Sequence, residues 1–210
     1  NGGGPCYIVS VGNFSTPPAR ADLVAGLNAL DTYDEPTLLV FPDQLGIVDR
    51  AGLYQDALAK CAELQDRFLI ADLVGSEISD FKTNIGTGDL DYGAAYIPSL
   101  KTSLTYVADT STSTVDGVTM DNLIGGTTPN TAAYHDALAK INNIPVVLGP
   151  ACAMAGVYAQ VDQTRGVWKS PANVSLRSVL EPTESFTESQ LGDLNVDAAT
   201  GKSINAIRKF

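Results

Sequence analysis

The sequence is poor in basic residues, and it contains one histidine and one tryptophan. Its 13 lysines and arginines face 24 aspartates and glutamates, which gives a net charge of -11. Such a surface repels a phosphate backbone unless its few cations are clustered. The sequence has no such cluster, since Arg208 and Lys209 stand almost alone near the end. We therefore expect no nucleic acid partner.

Long apolar runs are also missing. No run approaches the roughly 20 residues that a membrane-spanning helix needs. The first residues lack the basic-then-apolar pattern of a signal peptide. The sequence therefore predicts no membrane insertion. Because 44% of the 210 residues are hydrophobic, the chain has enough apolar surface for a packed core, which argues against disorder.

Cysteine is scarce, and its spacing supports neither a disulfide framework nor a zinc site. The three residues Cys6, Cys61 and Cys152 are odd in number, widely spaced and without a neighbouring histidine. Each lies in an apolar stretch. We therefore expect three buried, reduced thiols in a protein made in the cytoplasm.

What the sequence does contain is a regular alternation of strand-like and helix-like segments. The strand-like segments are nearly continuously apolar, which is typical of parallel strands buried on both faces. We predict an α/β fold with a mostly parallel sheet and helices on both faces. The predicted strands cover residues 6–11, 37–41, 68–71, 94–100 and 145–148, and the predicted helices cover residues 19–30, 50–65, 131–141 and 150–164.

One segment interrupts this alternation. Residues 104–130 are rich in threonine, serine, aspartate and glycine. That composition favours a surface loop over core elements. We predict that 104–130 is an inserted loop or small subdomain, and that 1–103 and 131–210 form the α/β core.

Catalytic motifs are weak. The sole histidine, His135, lies beside Asp136 on a predicted helix, where neighbouring side chains point about 100° apart. No Gly-x-Ser-x-Gly motif supplies a nucleophile. The sequence therefore predicts no hydrolase and, more broadly, no enzyme.

Two glycine patterns resemble parts of nucleotide-binding loops. Gly201-Lys202-Ser203 matches the end of a phosphate-binding loop, but the first glycine of that motif is replaced by Val196. Gly86 and Gly88 match part of a dinucleotide fingerprint whose third glycine is replaced by Asp91.

Acidic residues at the ends of predicted elements leave one alternative open. Asp43, Asp72 and Asp162 stand where ligands gather in α/β sheets, although aspartate is also common in caps and turns. The alternative to a structural protein is thus a nucleotide- or metal-dependent α/β enzyme.

The most specific pattern lies in residues 156–173, where a helix is followed by an Asp-x-x-Arg-Gly-Val-Trp turn and a Pro-Ala-Asn loop. This pattern resembles the signature of the contractile tail sheath family of phages and phage-tail-like extracellular injection systems. The matching motif residues, to which we assign a structural role, are Asp162, Arg165, Gly166, Trp168, Pro171, Ala172 and Asn173. Further matches to the family, in the same order along the chain, lie at residues 38–43, 54–73, 94–98 and 204–210.

The resemblance implies a structural subunit without cofactors. Sheath subunits stack as a helical sleeve around an inner tube and contract to drive it through a target envelope. The implied partners are further copies, the inner tube protein and the baseplate. The implied location is a phage virion or released particle assembled from protein made in the bacterial cytoplasm. The family's fold is sometimes called subtilisin-like, which says nothing about catalysis.

Two expectations concern the chain by itself. The N-terminal arm and C-terminal tube-facing domain of the family are absent from these 210 residues, so we expect the isolated chain to be monomeric. We also expect Trp168 to be a buried anchor of its turn, with Arg165 tied to a carboxylate or carbonyl group.

Overall fold

The computed structural model describes residues 2–13, 15–42, 47, 49–74, 77–127, 129–195, 197 and 199–209. It divides into two compact units. The first comprises Asn1–Leu100, Gly149–Arg177 and Pro182–Phe210, and the second comprises Lys101–Leu148 and Ser178–Glu181.

Helices and strands follow one another along the whole chain. In chain order they are α1 (Arg20–Asn28), β1 (Leu38–Leu39), α2 (Arg50–Leu64), β2 (Phe68–Asp72), α3 (Ile78–Asn84), a 3-10 turn (Leu90–Tyr92), β3 (Gly93–Ile97), β4 (Leu100–Thr102), β5 (Thr114–Val115), β6 (Val118–Thr119), α4 (Met120–Gly125), α5 (Thr131–Asn142), β7 (Val147–Leu148), α6 (Ala151–Arg165), β8 (Val179–Pro182), α7 (Glu188–Leu194) and β9 (Asn205–Ala206).

The first unit is built on a parallel sheet in the order β1-β2-β3-β9. Strand β2 is its centre, and its side chains alternate between two cores. Leu69 and Ala71 join the core beneath α2, whereas Ile70 joins the core beneath α6. Helices therefore cover both faces of the sheet, which confirms the predicted α/β fold.

Helix α2 shows how the sequence pattern produces this packing. Its buried positions Leu53, Ala57, Leu58 and Cys61 recur at helical spacing and form one face. Asp49 begins the helix by accepting a hydrogen bond from the Gly52 amide at 2.9 Å. The helix ends at Gln65, whose φ of 59° lies in the left-handed region.

Residues 6–11 do not form the predicted buried strand. They belong to none of the sheets, and residues 2–10 are exposed. The segment instead packs loosely, with the Tyr7 ring 5.3 Å from the Tyr33 ring. A β-branched sequence favours extended backbone, but a strand also requires a hydrogen-bonded neighbour.

The expected burial of the three cysteines holds for one of them. Cys61 is buried in α2, whereas Cys6 and Cys152 are exposed. Cys6 lies in the exposed first segment. Cys152 lies on α6 next to the buried Ala151, and the helical rotation of about 100° per residue turns it away from the core.

The second unit is larger than the segment 104–130. Within that segment, β5 and β6 form a hairpin through Asp116 and Gly117, which both have positive φ, and α4 buries Met120 and Leu123. Helix α5 and strand β7 also belong to this unit, although the sequence analysis placed them in the core. Whether 104–130 is an insertion relative to the family stays a prediction.

No helix of the described residues combines the length and the apolar composition needed to cross a membrane.

Candidate functional site

Helix α6 carries the first two motif residues, Asp162 and Arg165, and is held against the sheet by its apolar face. Met154, Val157 and Val161 are buried against Ile70 of β2 and Tyr96 of β3. The Tyr96 and Tyr158 hydroxyl oxygens lie 3.0 Å apart. Burial, together with this hydrogen bond, raises the pKa of Tyr96. This packing fixes the position of the helix end from which the motif loop departs.

The opposite end of α6 is fixed by Asp72, one of the candidate metal ligands. The Asp72 carboxylate accepts a hydrogen bond from the Ala151 amide in the first turn of α6. The Tyr54 hydroxyl donates to the Asp72 carbonyl at 3.0 Å and accepts from the Asp72 amide at 3.1 Å. A β-carbon at position 149 would overlap this carboxylate, so Gly149 leaves the space in which the carboxylate lies. Asp72 thus caps a helix from a neighbouring strand.

The motif loop begins where α6 ends. The Gly166 amide donates to the Asp162 carbonyl at 3.1 Å, and Gly166 has a φ of 89°, which favours glycine. The Lys169 amide then donates to the Gly166 carbonyl at 3.1 Å, which closes the turn. The Asp162 side chain is exposed, so Asp162 contributes to the loop through its backbone carbonyl.

Hydrogen bonds from one side chain also order the second half of the loop. The Lys169 ammonium donates to the Ser170 carbonyl at 2.7 Å and to the Ala172 carbonyl at 3.4 Å. The Ala172 amide donates to the Ser170 carbonyl at 2.8 Å. Pro171 restricts the backbone between them, and Asn173 adopts a φ of 58°. The loop is therefore constrained at most of its positions.

Trp168 is not the buried anchor that the sequence predicts. Its side chain is 82% exposed, and Val167 is 85% exposed. The turn from Gly166 to Lys169 directs both side chains outward. The indole lies back over its own turn: a β-carbon added to Gly166 would come within 2.6 Å of its Nε1.

Arg165 also departs from expectation. It is exposed and forms no hydrogen bond or ion pair with any residue that the structure describes. A cavity of about 250 Å³ opens beside it. The polar groups that line the cavity, Gln160, Thr164, Arg165, Lys169 and Asn173, include two cations and no carboxylate. The loop therefore presents a recess lined by Arg165 and Lys169, and the exposed Trp168 lies between these two residues in the chain.

Among the residues that the structure describes, His135 has no acidic partner. It lies on α5 with its ring 5.3 Å from the Tyr134 ring in an edge-to-face arrangement. Its neighbour Asp136 forms an ion pair with Lys140 at 2.8 Å instead. The described part of the chain thus forms no Ser-His-Asp arrangement around His135.

The two glycine patterns that resemble nucleotide-binding loops, at Gly201 and Gly86, form turns. In the segment around Gly201, the Gly201 amide donates to the Asp197 carbonyl at 2.7 Å and the Lys202 ammonium donates to the Lys82 carbonyl. The lysine that would contact a phosphate is thus engaged with the backbone. Gly86 has a φ of 72°, as expected for a turn.

The metal hypothesis gains no support from the part of the chain that is described. Asp72 is a helix cap, Asp162 is exposed on α6, and Asp43 lies outside the described residues. Within those residues no three histidine, cysteine or acidic side chains form a group that could hold a metal ion.

No family model matches the chain, and a comparison with curated proteins gives no match. Solved structures do match. The contracted helical sheath of the anti-feeding prophage is 28% identical, with a TM-score of 0.60 over 100% of this chain. A chain of the six-fold symmetrised anti-feeding prophage baseplate is 26% identical, with a TM-score of 0.57 over 90% of this chain.

A third structure shares the fold at lower identity. The contracted sheath complex of the PVC extracellular contractile injection system is 24% identical, with a TM-score of 0.54 over 91% of this chain. The chain spans less than half of each of these three proteins, between 38% and 44% of their length. The structural matches confirm the resemblance of this chain to the contractile tail sheath family.

Proposed function

We propose that this chain is the α/β core of a structural subunit of a contractile sheath. Many copies would form a helical sleeve around an inner tube, and contraction of the sleeve would drive the tube through a target envelope. The observation that carries the proposal is the match over the full chain to a contracted helical sheath, at 28% identity and a TM-score of 0.60.

The chemistry of the described residues supports a structural role over an enzymatic one. Asp72 and Lys202, which a metal- or nucleotide-dependent enzyme would use, are engaged by backbone groups. His135 has no acidic partner in the part of the chain that is described. Lys169 and the motif residues Gly166, Pro171, Ala172 and Asn173 organise a loop, which is a scaffold function that needs no cofactor.

The fold also suits the mechanics of contraction. A sheath subunit must move nearly as a rigid body between two arrangements of its neighbours. In the first unit, both faces of the central sheet are packed against helices, and such cores resist continuous deformation. We infer that the subunit changes its contacts with other copies, the inner tube and the baseplate while its own core is preserved.

The proposal places the protein in a particle. It would be made in the bacterial cytoplasm and become part of a phage virion or of a released contractile particle. Membership of such a particle can be tested directly. Particles would be sedimented from cells that encode the chain and labelled with gold-conjugated antibodies raised against it. We expect gold along an outer sleeve that shortens and widens when contraction is induced. Tailed particles without label, with the protein confined to slowly sedimenting fractions, would contradict the proposal.

A further inference from the structure

The loop Arg165–Lys169 displays apolar side chains in a fixed conformation. Val167 and Trp168 are 85% and 82% exposed, yet the backbone that carries them is closed by the hydrogen bonds at Gly166 and Lys169. Tryptophan is enriched among the residues that dominate protein interfaces. A loop backbone that is ordered before binding also loses less conformational entropy on binding. These properties are those of an interface anchor.

Arg165 distinguishes the same loop from the other described parts of the chain. Of the described cations, seven form ion pairs with carboxylates, namely Arg20, Arg50, Lys60, Arg67, Lys101, Lys140 and Arg208. Lys82, Lys169 and Lys202 instead contact carbonyl oxygens, whereas Arg165 has no partner among the described residues. An unpaired guanidinium beside an exposed indole fits an acidic partner.

A second copy of this chain is such a partner. Each copy has an excess of 11 acidic residues over basic ones. Two copies repel each other at long range, but at about 0.1 M salt the Debye length is about 10 Å, so contacts at the interface dominate. We propose that the loop Arg165–Lys169 docks on an acidic face of a second copy, with Trp168 as the anchor and Arg165 paired with carboxylates. This rests on the proposed function, which places copies side by side.

Because Trp168 is the only tryptophan, it reports on its own docking. Wild-type protein at about 1 µM would be titrated with the Trp168→Phe variant, which keeps its acidic faces but contributes no tryptophan emission, up to about 1 mM at about 0.1 M salt, the range of a weak contact. We expect the emission to shift to the blue and acrylamide quenching to fall as the indole leaves water. Emission that stays typical of an exposed indole at every titrant concentration would overturn the proposal.

Two variants of the reporter test whether the charge of Arg165 contributes to docking. Arg165→Glu in the reporter should weaken the contact about fivefold, since an attractive contact becomes repulsive, so the blue shift reached at about 1 mM titrant should fall about threefold. Lys140→Glu makes the same charge change on the exposed face of α5 and should leave that shift unchanged. Equal effects of the two variants would overturn the loop's role. Circular dichroism of all variants verifies their folding. Failure of the sheath function itself would be seen separately, as unlabelled particles in the gold-labelling experiment.

Discussion

Asp72 is the residue whose role depends most on its surroundings. Its carboxylate accepts a hydrogen bond from the Ala151 amide at the start of the 15-residue helix α6. We expect Asp72→Ala to lower the free energy of unfolding by about 1–3 kcal/mol, because the buried amide loses its acceptor. Chemical denaturation measures the change. Asp162→Ala, which removes an exposed carboxylate from the same helix, should cost less than about 0.5 kcal/mol. Equal losses would contradict the capping role.

Two aromatic residues give a comparison between an exposed and a buried side chain. Trp168→Ala should lower the free energy of unfolding by less than about 1 kcal/mol, because its indole is already in water. Tyr54→Ala should cost about 3–5 kcal/mol, because the ring is buried in the core and its hydroxyl bonds the Asp72 backbone. Urea titrations of both variants decide the matter. A large loss for Trp168→Ala would mean that the indole packs against the fold.

Cys61 predicts a pH dependence of stability. Burial raises the pKa of its thiol to about 11. Above about pH 9 the unfolded chain loses this proton while the native protein retains it, so native stability falls as the pH rises from about 9 to 11. The expected loss is about 2–3 kcal/mol relative to Cys61→Ala. The free energy of unfolding of both proteins would be measured at several pH values in that range. A difference between the two proteins that does not change with pH would contradict the prediction.

At the scale of elements, we expect the connection between β4 and β5 to be the internal segment that proteases cut most easily. Between Thr102 and Thr114 the chain forms no helix or strand, and Leu104, Tyr106 and Val107 are about half exposed or more. Exposed irregular segments are cut first by proteases. Limited chymotrypsin digestion should cleave after Leu104 or Tyr106 before any site inside a helix or strand. Earlier cleavage inside α2, whose leucines are buried, would show that the connection is better protected than the structure indicates.

At the scale of the whole molecule, charge predicts weak association of the isolated chain. With a net charge of -11, copies repel one another beyond the reach of single contacts. We therefore expect one species near 22.0 kDa by sedimentation at tens of micromolar, well below the roughly millimolar affinity expected of the loop contact. A stable ring or filament at that concentration would show that the core contains a much stronger interface.

The sequence by itself determined the secondary structure of the central layers. The helical spacing of Leu53, Leu58 and Cys61 predicts α2, and the continuous apolar run at 68–71 predicts β2. Both signals are local, because side-chain periodicity reflects helix and strand geometry directly. The motif from Asp162 to Asn173 was likewise sufficient to indicate the sheath family, which the structural matches support.

The tertiary structure alone decided which apolar residues are buried and what the polar residues contact. Residues 6–11 have strand-like composition but lie outside the sheets, and Trp168 projects into solvent although its flanking sequence resembles a packed turn. Asp72 appeared to be a candidate metal ligand until the fold placed it against Ala151, 79 residues away. Burial and pairing depend on contacts between distant segments, and those contacts leave no periodic signal in the chain.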